Sequence, residues 1–411
     1  MNIPMSGPDL TEVELTAINE VLKTSFLSFG PQLRAFEAAF ANAVGTTYAV
    51  GVNSGTSGLH LCTIAAGLTE GDLALTTPFS FIASANSLLY ERSIPIFIDV
   101  DPLTNNIDPT LVAEAAANLA HDPHSAASKA WLPPAFQGST TAIKQLKALL
   151  VVHAFGQPAA MDELTSTAQQ HGLFLIEDAC EALGSTYKGR KVGNLGDAAA
   201  FGFYPNKQIT TGEGGMICTN QPQRDNLFRS LRNQGRDTFD CWLNHTRLGY
   251  NYRLDELSAA LGLAQLQRLE SILAKRAQVA QWYNERLDGV ELLALPQIAQ
   301  TTTLMSWFVY VVRVLPPANR DDVLAQLEQA NIPTRPYFTP IHLQPFYREK
   351  FGYHPGCFPV TEYLGQVSLA LPFSSVMTEQ QVDYVCYKLQ KVLTLKSKTK
   401  PLPSLLPSLS C

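Results

Sequence analysis

The chain has 411 residues, roughly two to three times the length of a typical domain, which predicts one large domain and one smaller domain. Its apolar content of 46%, with 26 glycines and 26 prolines, is that of an ordinary globular α/β enzyme and excludes a disordered chain. The formal net charge of −6 disfavours binding to nucleic acid or to an anionic membrane.

The N-terminal segment lacks the basic start and apolar stretch of a secretory signal, and no apolar run of about 18 residues occurs. We therefore expect a soluble, cytoplasmic protein. No Cys-x-x-Cys pair and no metal-like spacing with the histidines occurs among the cysteines, which are residues 62, 180, 218, 241, 357, 386 and 411. This pattern predicts reduced thiols and no metal site.

The first half of the chain alternates helical and strand-like patterns. Apolar spacing predicts helices over residues 10–23 and 31–44. Strand-like apolar runs follow between residues 48 and 219, namely YAVGV, LALTT, IPIFIDV, ALLVVHAF, LFLIEDA, AAAFGF and GMICT. Strands separated by helical patterns predict an α/β fold with a mostly parallel central sheet covered by helices.

Two segments interrupt or end this alternation. Residues 118–138 lack periodicity and are predicted to be a surface insertion. Residues 254–287 predict one long helix, straight or kinked, that leads to the second domain. Beyond it the pattern predicts a small α+β domain, with a strand at 307–315, a helix at 319–331, a Pro-rich loop at 333–345 and a last helix at 378–393. The expected division is a large domain over 1–265, a linking helix with the small domain over 266–394, and a disordered tail over 395–411.

The most specific stretch surrounds Lys207. An apolar strand runs into Tyr204-Pro-Asn-Lys207, no acidic residue follows until Glu213, and glycines 212, 214 and 215 allow a close approach of the backbone to a ligand. Taken alone, a lysine after a strand is most often a solvated surface residue.

A buried strand delivers Glu177 and Asp178 to its carboxyl end about 30 residues before the lysine. Ligands of α/β sheets bind at that end, and a carboxylate there can hold a heteroaromatic nitrogen protonated, as a pyridoxal ring requires. The alternative is that Asp178 simply caps the next helix.

A third element is the run Ser54-Gly-Thr-Ser-Gly58, which follows a strand and opens a helix. Small residues and hydroxyls at a helix N-terminus can bind phosphate through free N–H groups and the helix dipole. The run is neither a Walker loop nor a dinucleotide-binding turn, and as an isolated cap it would be structural only.

In order along the chain, these three elements resemble the DegT/DnrJ/StrS family of pyridoxal phosphate-dependent sugar aminotransferases. The resemblance covers nearly the whole chain, through GPQLRAFEAAFANAVGTTYAVGVNSGTSGL, TTPFSFIASAN, PIFIDVDPLTNNID, VVHAFGQPAAMDEL, IEDACEALGSTYKGRKVGNLGD, FGFYPNKQITTGEGG, LGYNYRLDELSAALGLAQL, TRPYFTPIHLQP and ALPFSS. It implies the aspartate aminotransferase-like fold, type I of the pyridoxal phosphate-dependent transferases. The implied reaction moves an amino group from an amino acid, expected to be L-glutamate, through pyridoxamine phosphate to a nucleotide-linked keto-sugar.

The resemblance also implies residue roles. Lys207 would form an aldimine with the cofactor and carry the proton in both half-reactions, and it must be uncharged to attack. Asp178 would pair with the ring nitrogen. Phe81 would stack on the ring face opposite Lys207, although plain core packing is its alternative. The cofactor phosphate would be held by Gly55, Thr56 and Ser57.

In this family the loop matching LGYNYRL reaches into the neighbouring subunit, which implies a homodimer. Asn251 and Arg253 would then touch the phosphate across the interface; otherwise they are loop and N-cap residues before a helix. Tyr337 and His342 match positions near the sugar substrate.

Two positions depart from the family pattern. Glu181 stands where many members have a glutamine that contacts the cofactor's phenolic oxygen, so it would be protonated, turned aside or tuning the lysine's bond to the cofactor. Gly202 stands where many members place a serine on the phosphate, which removes one hydroxyl ligand.

Two other functions are open to a chain of this fold. A family-type sugar dehydratase uses pyridoxamine phosphate and typically has histidine in place of the lysine, so Lys207 argues against it. A non-catalytic, cofactor-binding regulatory protein would be suggested by loss of Lys207 or Asp178, and the sequence retains both.

Overall fold

The computed structural model describes residues 2–138, 143–237 and 244–397. Its helices are α1 Glu12–Leu22, α2 Pro31–Val44, α3 Gly55–Ala65, α4 Ala83–Tyr90, α5 Pro109–His121, α6 Ala126–Lys129, α7 Met161–His171, α8 Pro222–Arg232, α9 Glu256–Gln267, α10 Leu269–Leu287, α11 Arg320–Gln329, α12 Pro345–Phe351, α13 Pro359–Val367 and α14 Glu379–Ser397. Its strands are β1 Tyr48–Val52, β2 Leu73–Thr76, β3 Ile94–Phe97, β4 Leu146–Val152, β5 Phe174–Asp178, β6 Thr186–Tyr187, β7 Arg190–Lys191, β8 Ala198–Gly202, β9 Gly215–Thr219, β10 Leu293–Ala294, β11 Thr302–Leu304, β12 Tyr310–Val314 and β13 Ser368–Leu371.

A seven-stranded sheet in the order β1-β9-β8-β5-β4-β2-β3 forms the centre of the fold. The pairs β2–β3, β2–β4, β4–β5 and β5–β8 are parallel, whereas β9 runs antiparallel to both of its neighbours. Each of the seven predicted apolar runs supplies one of these strands. The prediction of an α/β fold with a mostly parallel central sheet is therefore confirmed.

Both faces of this sheet are buried, which explains why its strands read as continuous apolar runs. Along β8, Ala198 and Ala200 pack into one cluster with α3, and Ala199 and Phe201 pack into another with Phe36 and other residues of α2. Successive side chains of a strand point to opposite faces, so one short run serves two cores.

The strand directions bring three carboxyl ends to one edge of the sheet. Since β9 is antiparallel to both β1 and β8, those two strands point the same way. Val52 at the end of β1 and Gly202 at the end of β8 both pair with Gly215, and Asp178 at the end of β5 pairs with Ala200. The segments that follow β1, β5 and β8 therefore start next to one another.

The C-terminal part builds a second core around the three-stranded antiparallel sheet β10-β12-β13. Helices α10, α11 and α14 contribute the apolar side chains that cover it. The predicted strand and two predicted helices of this region are present as β12, α11 and α14. Strand β13 and helices α12 and α13 have no counterpart among the predicted elements. The domain division at residues 265 and 266 remains a prediction.

Three predicted segments differ in detail. The long helix is divided at Arg268 into α9 and α10, as a kink requires. Within the predicted insertion, α5 continues to His121, α6 follows, and Leu132 is buried in the main core, so this segment is partly helical and not purely a surface feature. Helix α14 overlaps the first three residues of the predicted tail, and residues 398–411 lie outside the described residues. No helix in the described ranges is long and apolar enough to span a bilayer.

Glu14 connects α1 to the junction of α9 and α10 through hydrogen bonds. Its Oε1 accepts hydrogen bonds from Arg268 Nη1 at 2.6 Å and Gln265 Nε2 at 2.8 Å, and Oε2 accepts one from the Thr11 N–H at 2.7 Å. Burial by itself raises the pKa of Glu14, but these hydrogen bonds outweigh burial and lower the pKa to about 2. Because this pKa lies below the ordinary value of 4.5, the charged form stabilises the fold above pH 4.5, and its contribution is lost as the pH falls towards 2.

The substitution Glu14→Gln is expected to lower the free energy of unfolding by about 1–3 kcal/mol at pH 7 and by less at pH 3. Urea unfolding at the two pH values measures this difference. Glu20→Gln, at an exposed position of the same helix, is the control and should change stability little. An equal loss at both pH values in Glu14→Gln would contradict the assignment.

Candidate active site

A cavity of about 440 Å³ lies at the edge of the sheet where β1, β5 and β8 end. Seven of the residues predicted from the sequence line it: Gly55, Thr56, Phe81, Asp178, Glu181, Lys207 and Tyr337. The three predicted elements are thus brought together in one place. In the described part of the chain, no group of three or more His, Cys, Asp or Glu side chains is arranged to hold a metal ion.

Lys207 lies in the turn that carries the chain from β8 back to β9. Its N–H donates to the Tyr204 carbonyl at 2.9 Å, and its side chain is only 15% exposed. The ammonium nitrogen lies 3.9 Å from the centre of the Phe308 ring, within range of a cation–π interaction, and 3.7 Å from Glu181 Oε1. Although no acidic residue follows Lys207 in sequence until Glu213, the segment after β5 brings Glu181 next to it.

Asp178 ends β5 and is 6% exposed. Its Oδ2 accepts a hydrogen bond from Ser84 Oγ at 2.6 Å, and its Oδ1 accepts one from the Cys180 N–H at 3.2 Å. The chain continues from Asp178 into a turn and then β6, so the alternative in which this residue caps the next helix is wrong. The carboxylate is instead held at the wall of the cavity that Lys207 also lines.

Glu181 is not turned aside. Its side chain is 8% exposed, and Oε2 accepts a hydrogen bond from the Phe155 N–H at 2.9 Å while Oε1 faces Lys207. Burial raises the pKa of Glu181, and the positive charge of Lys207 opposes that shift without cancelling it. The site therefore contains, beside the lysine, a carboxyl group that takes up a proton more readily than an exposed glutamate does.

The first turn of α3 lies at the wall of the cavity. Ser54 caps the helix by accepting from the Ser57 N–H at 3.0 Å, and Ser57 Oγ donates to Asn53 Oδ1 at 2.7 Å. The N–H groups of Gly55 and Thr56 belong to the first turn, where the helix offers no partner, and both residues line the cavity. Ser57, by contrast, is occupied by the cap and does not line it.

Gly55 is required by a close approach to β8. A Cβ at Gly55 would lie 2.8 Å from Cys180 Sγ and 3.0 Å from Gly202 Cα. At Gly202 the added Cβ would meet nothing closer than 3.5 Å, an ordinary contact. A Cβ therefore fits at residue 202, so close packing does not require a glycine there as it does at Gly55.

Phe81 stands at the mouth of the cavity with 62% of its surface exposed, so core packing, the alternative for this residue, is wrong. Tyr337 also lines the cavity, and burial raises the pKa of its hydroxyl.

Besides Ser57, three predicted residues do not line the cavity of their own chain. Asn251 is exposed, and its carbonyl accepts from Asn53 Nδ2 at 3.4 Å; Arg253 Nη1 donates to Asn233 Oδ1 at 3.2 Å. His342 is fully buried, with Nε2 3.0 Å from Glu362 Oε1. The structure does not bring this histidine to the other site residues, because Glu362 holds it in the interior.

Two residues that contact the predicted site residues were not predicted from the sequence. Ser84 donates a hydrogen bond to the carboxylate of Asp178. It lies in the same motif as Phe81, so its position in that motif could have indicated a role in the site. Phe308 lies under the ammonium of Lys207 from about 100 residues further along the chain, and nothing in its local pattern indicates that contact.

The chain is similar to known proteins over nearly its whole length. The model of the DegT/DnrJ/EryC1/StrS aminotransferase family matches residues 8–390. GDP-perosamine synthase of Caulobacter vibrioides is 36% identical over 396 residues, covering 95% of this chain and 98% of that protein. The enzyme of the same name from Escherichia coli O157:H7 is 32% identical, with coverages of 93% and 96%.

Among solved structures, S. venezuelae DesV in complex with a ketimine intermediate is 30% identical with a TM-score of 0.82, covering 95% of this chain and 98% of that one. The predicted cofactor, pyridoxal phosphate, and the predicted fold type are those of this group of enzymes. A family match over nearly the whole length, with relatives above 30% identity, identifies the chain as a member of the DegT/DnrJ/EryC1/StrS aminotransferase family.

Proposed function

We propose that this protein transfers an amino group from L-glutamate to a nucleotide-linked keto-sugar, with pyridoxal phosphate bound in the cavity. The observation that carries the proposal is that Lys207 and Asp178, on neighbouring strand ends, line one cavity together with the free N–H groups of α3. Relatives named as GDP-perosamine synthases support a sugar acceptor, and GDP-linked keto-sugars are the first acceptors to test.

The residues of the cavity fit the cofactor. The N–H groups of Gly55 and Thr56 provide an anion site at a helix N-terminus for the phosphate, and Ser57 would act through the cap that orients them. Asp178 would pair with the ring nitrogen, and Phe81 would cover one ring face. When bound, the cofactor supplies an electron sink for charge that develops at the substrate carbon.

Lys207 has the surroundings of a group that exchanges a proton. Its nitrogen lies between the ring of Phe308 and the carboxyl of Glu181, which can hold the proton that the amine must release before it acts as a nucleophile or base. A protonated Glu181 can also donate a hydrogen bond to an anionic oxygen, the function that a glutamine amide would have at this position.

The second copy of the chain would complete each site. Segment 26–29 runs beside Arg253, whose guanidinium carbon lies 5.9 Å from the centre of the Phe29 ring. It also contacts the start of α9, where the Glu256 N–H donates to the Leu27 carbonyl at 3.1 Å. Phe26 is 60% exposed and Leu27 is 52% exposed, next to the loop that contains Asn251. An exposed apolar surface beside polar residues with no role in their own cavity supports a homodimer in which Asn251 and Arg253 reach the partner's phosphate.

Mixing two inactive variants tests this arrangement. Lys207→Ala and the double variant Asn251→Ala/Arg253→Ala are each expected to lose activity, the second through weaker cofactor binding. After joint unfolding and refolding, mixed dimers contain one intact site, so activity should return. No recovery in a mixture that forms dimers would contradict the shared site.

Two observations weigh against the other functions considered. A dehydratase of this family has no need of the lysine, whereas Lys207 is held by Glu181 and Phe308 at the cavity wall. A regulatory protein that only binds the cofactor would need the cavity, but it would not need an amine such as Lys207 beside an acid such as Glu181. Aminotransferase chemistry uses every one of these groups.

The proposed reaction is tested by separating its two halves. The purified holoenzyme should lose the visible absorption band of its bound cofactor when L-glutamate is added, with formation of one equivalent of 2-oxoglutarate. After removal of glutamate, a GDP-linked keto-sugar should restore the band and gain the amine, as measured by mass spectrometry. A band that never responds to any amino acid would overturn the proposal; a response to glutamate without return by nucleotide sugars would overturn the acceptor alone.

A further inference from the structure

Arg276 of α10 is buried in a position that packing alone does not explain. Its side chain is 2% exposed, and within the described residues its hydrogen bonds all end on backbone carbonyl oxygens. Burial lowers the pKa of Arg276 to about 10, with only a weak opposing influence from Asp9. A buried guanidinium without a carboxylate partner is costly, and an apolar side chain of similar size would serve packing better.

The carbonyls that Arg276 binds belong to two segments of the active site. Nη2 donates to the carbonyl of Lys207 at 2.8 Å and to that of Asn206 at 3.4 Å. Nη1 donates to the carbonyls of Trp307 and Phe308 at 3.1 and 3.2 Å. One planar fork thus joins the backbone of Lys207 to the backbone of the residue whose ring lies under the Lys207 amine.

We propose that Arg276 is a positioning residue that holds Lys207 and Phe308 in the single relative geometry in which the Lys207 amine can transfer a proton to and from the substrate carbon. The inference rests on the proposed function. Neither backbone segment can shift without breaking hydrogen bonds to the same guanidinium, which also joins α10 to the turn after β8. Displacing a reacting group by about 1 Å can lower a rate about 100-fold.

The test uses holoenzyme variants Arg276→Met and Arg276→Lys. Loss of the visible band is followed in single turnovers with L-glutamate and with L-glutamate deuterated at carbon 2. In Arg276→Met the rate is expected to fall about 100-fold with little change in the glutamate concentration at half saturation, and the deuterium isotope effect should rise because proton transfer limits the rate. Arg276→Lys keeps a positive charge but cannot donate to both pairs of carbonyls, so its rate should lie between the rates of the wild type and Arg276→Met.

Hydrogen exchange gives a readout that does not depend on turnover. In Arg276→Met the peptide that spans residues 203–211 should exchange faster than in the wild type, because the backbone of Lys207 has lost its anchor. Tyr283→Phe is the matched control, since it removes a buried hydrogen bond from the same helix, to the Pro372 carbonyl at 2.7 Å, without touching Lys207. This control should keep the wild-type isotope effect and exchange.

Failure of the inference and failure of the proposed function give different results. A wild-type holoenzyme that does not react with any amino acid would overturn the function. A reactive wild type, with Arg276→Met close to Tyr283→Phe in rate, isotope effect and exchange, would overturn the positioning role. If Arg276→Met does not fold, the same comparison with Arg276→Lys decides the question.

Discussion

Replacing Lys207 with alanine is expected to abolish both the visible band of the bound cofactor and the reaction with L-glutamate. Under the proposed function, the Lys207 amine would bond covalently to the cofactor and carry the proton, and loss of both roles should lower the rate about 10⁴-fold or more. Absorption spectra of the purified variant and single-turnover reactions measure the two effects.

The cavity itself should survive this substitution. The proposed phosphate site at Gly55 and Thr56 and the proposed partner of the ring nitrogen, Asp178, do not depend on the lysine. Lys207→Ala should therefore still retain the cofactor noncovalently after gel filtration. Lys188→Ala is the control: this lysine is 49% exposed, pairs with Asp162 and should leave spectrum and rate unchanged. An unaltered visible band in Lys207→Ala would refute the assignment of this residue.

Most of the sheet could be predicted because each strand is buried on both faces. A run such as AAAFG must be apolar at every position when Ala199 and Phe201 face one core and Ala198 and Ala200 face another. The three elements at the sheet edge could also be predicted, since parallel strands place their carboxyl ends together.

Contacts between distant segments could not be predicted from local patterns. Phe308 and Arg276 reach Lys207 from the second half of the chain, and their sequence surroundings are those of ordinary strand and helix residues. Strand β13 is short, and its apolar residues before a proline do not distinguish strand from loop. Glu181 was recognised only as a departure, because its proximity to Lys207 depends on the pairing of β5 with β8.

The second large effect is expected at Asp178. Asp178→Asn keeps the size of the side chain and an oxygen that can accept from Ser84, but it removes the negative charge that, under the proposed function, would keep the ring nitrogen of the cofactor protonated. The cofactor should remain bound with its visible band, while the rate with L-glutamate falls about 10²–10⁴-fold, because charge that develops at the substrate carbon is no longer stabilised.

Asp197→Asn provides the matched control for that measurement. Asp197 lies at the opposite end of the same strands, where Oδ2 accepts from the Leu175 N–H at 2.9 Å and Oδ1 pairs with Arg224. Its loss should reduce stability without changing the single-turnover rate. If Asp178→Asn reacted as fast as Asp197→Asn, the charge at the end of β5 would have no part in catalysis, and the cavity would have to bind the ring in another orientation.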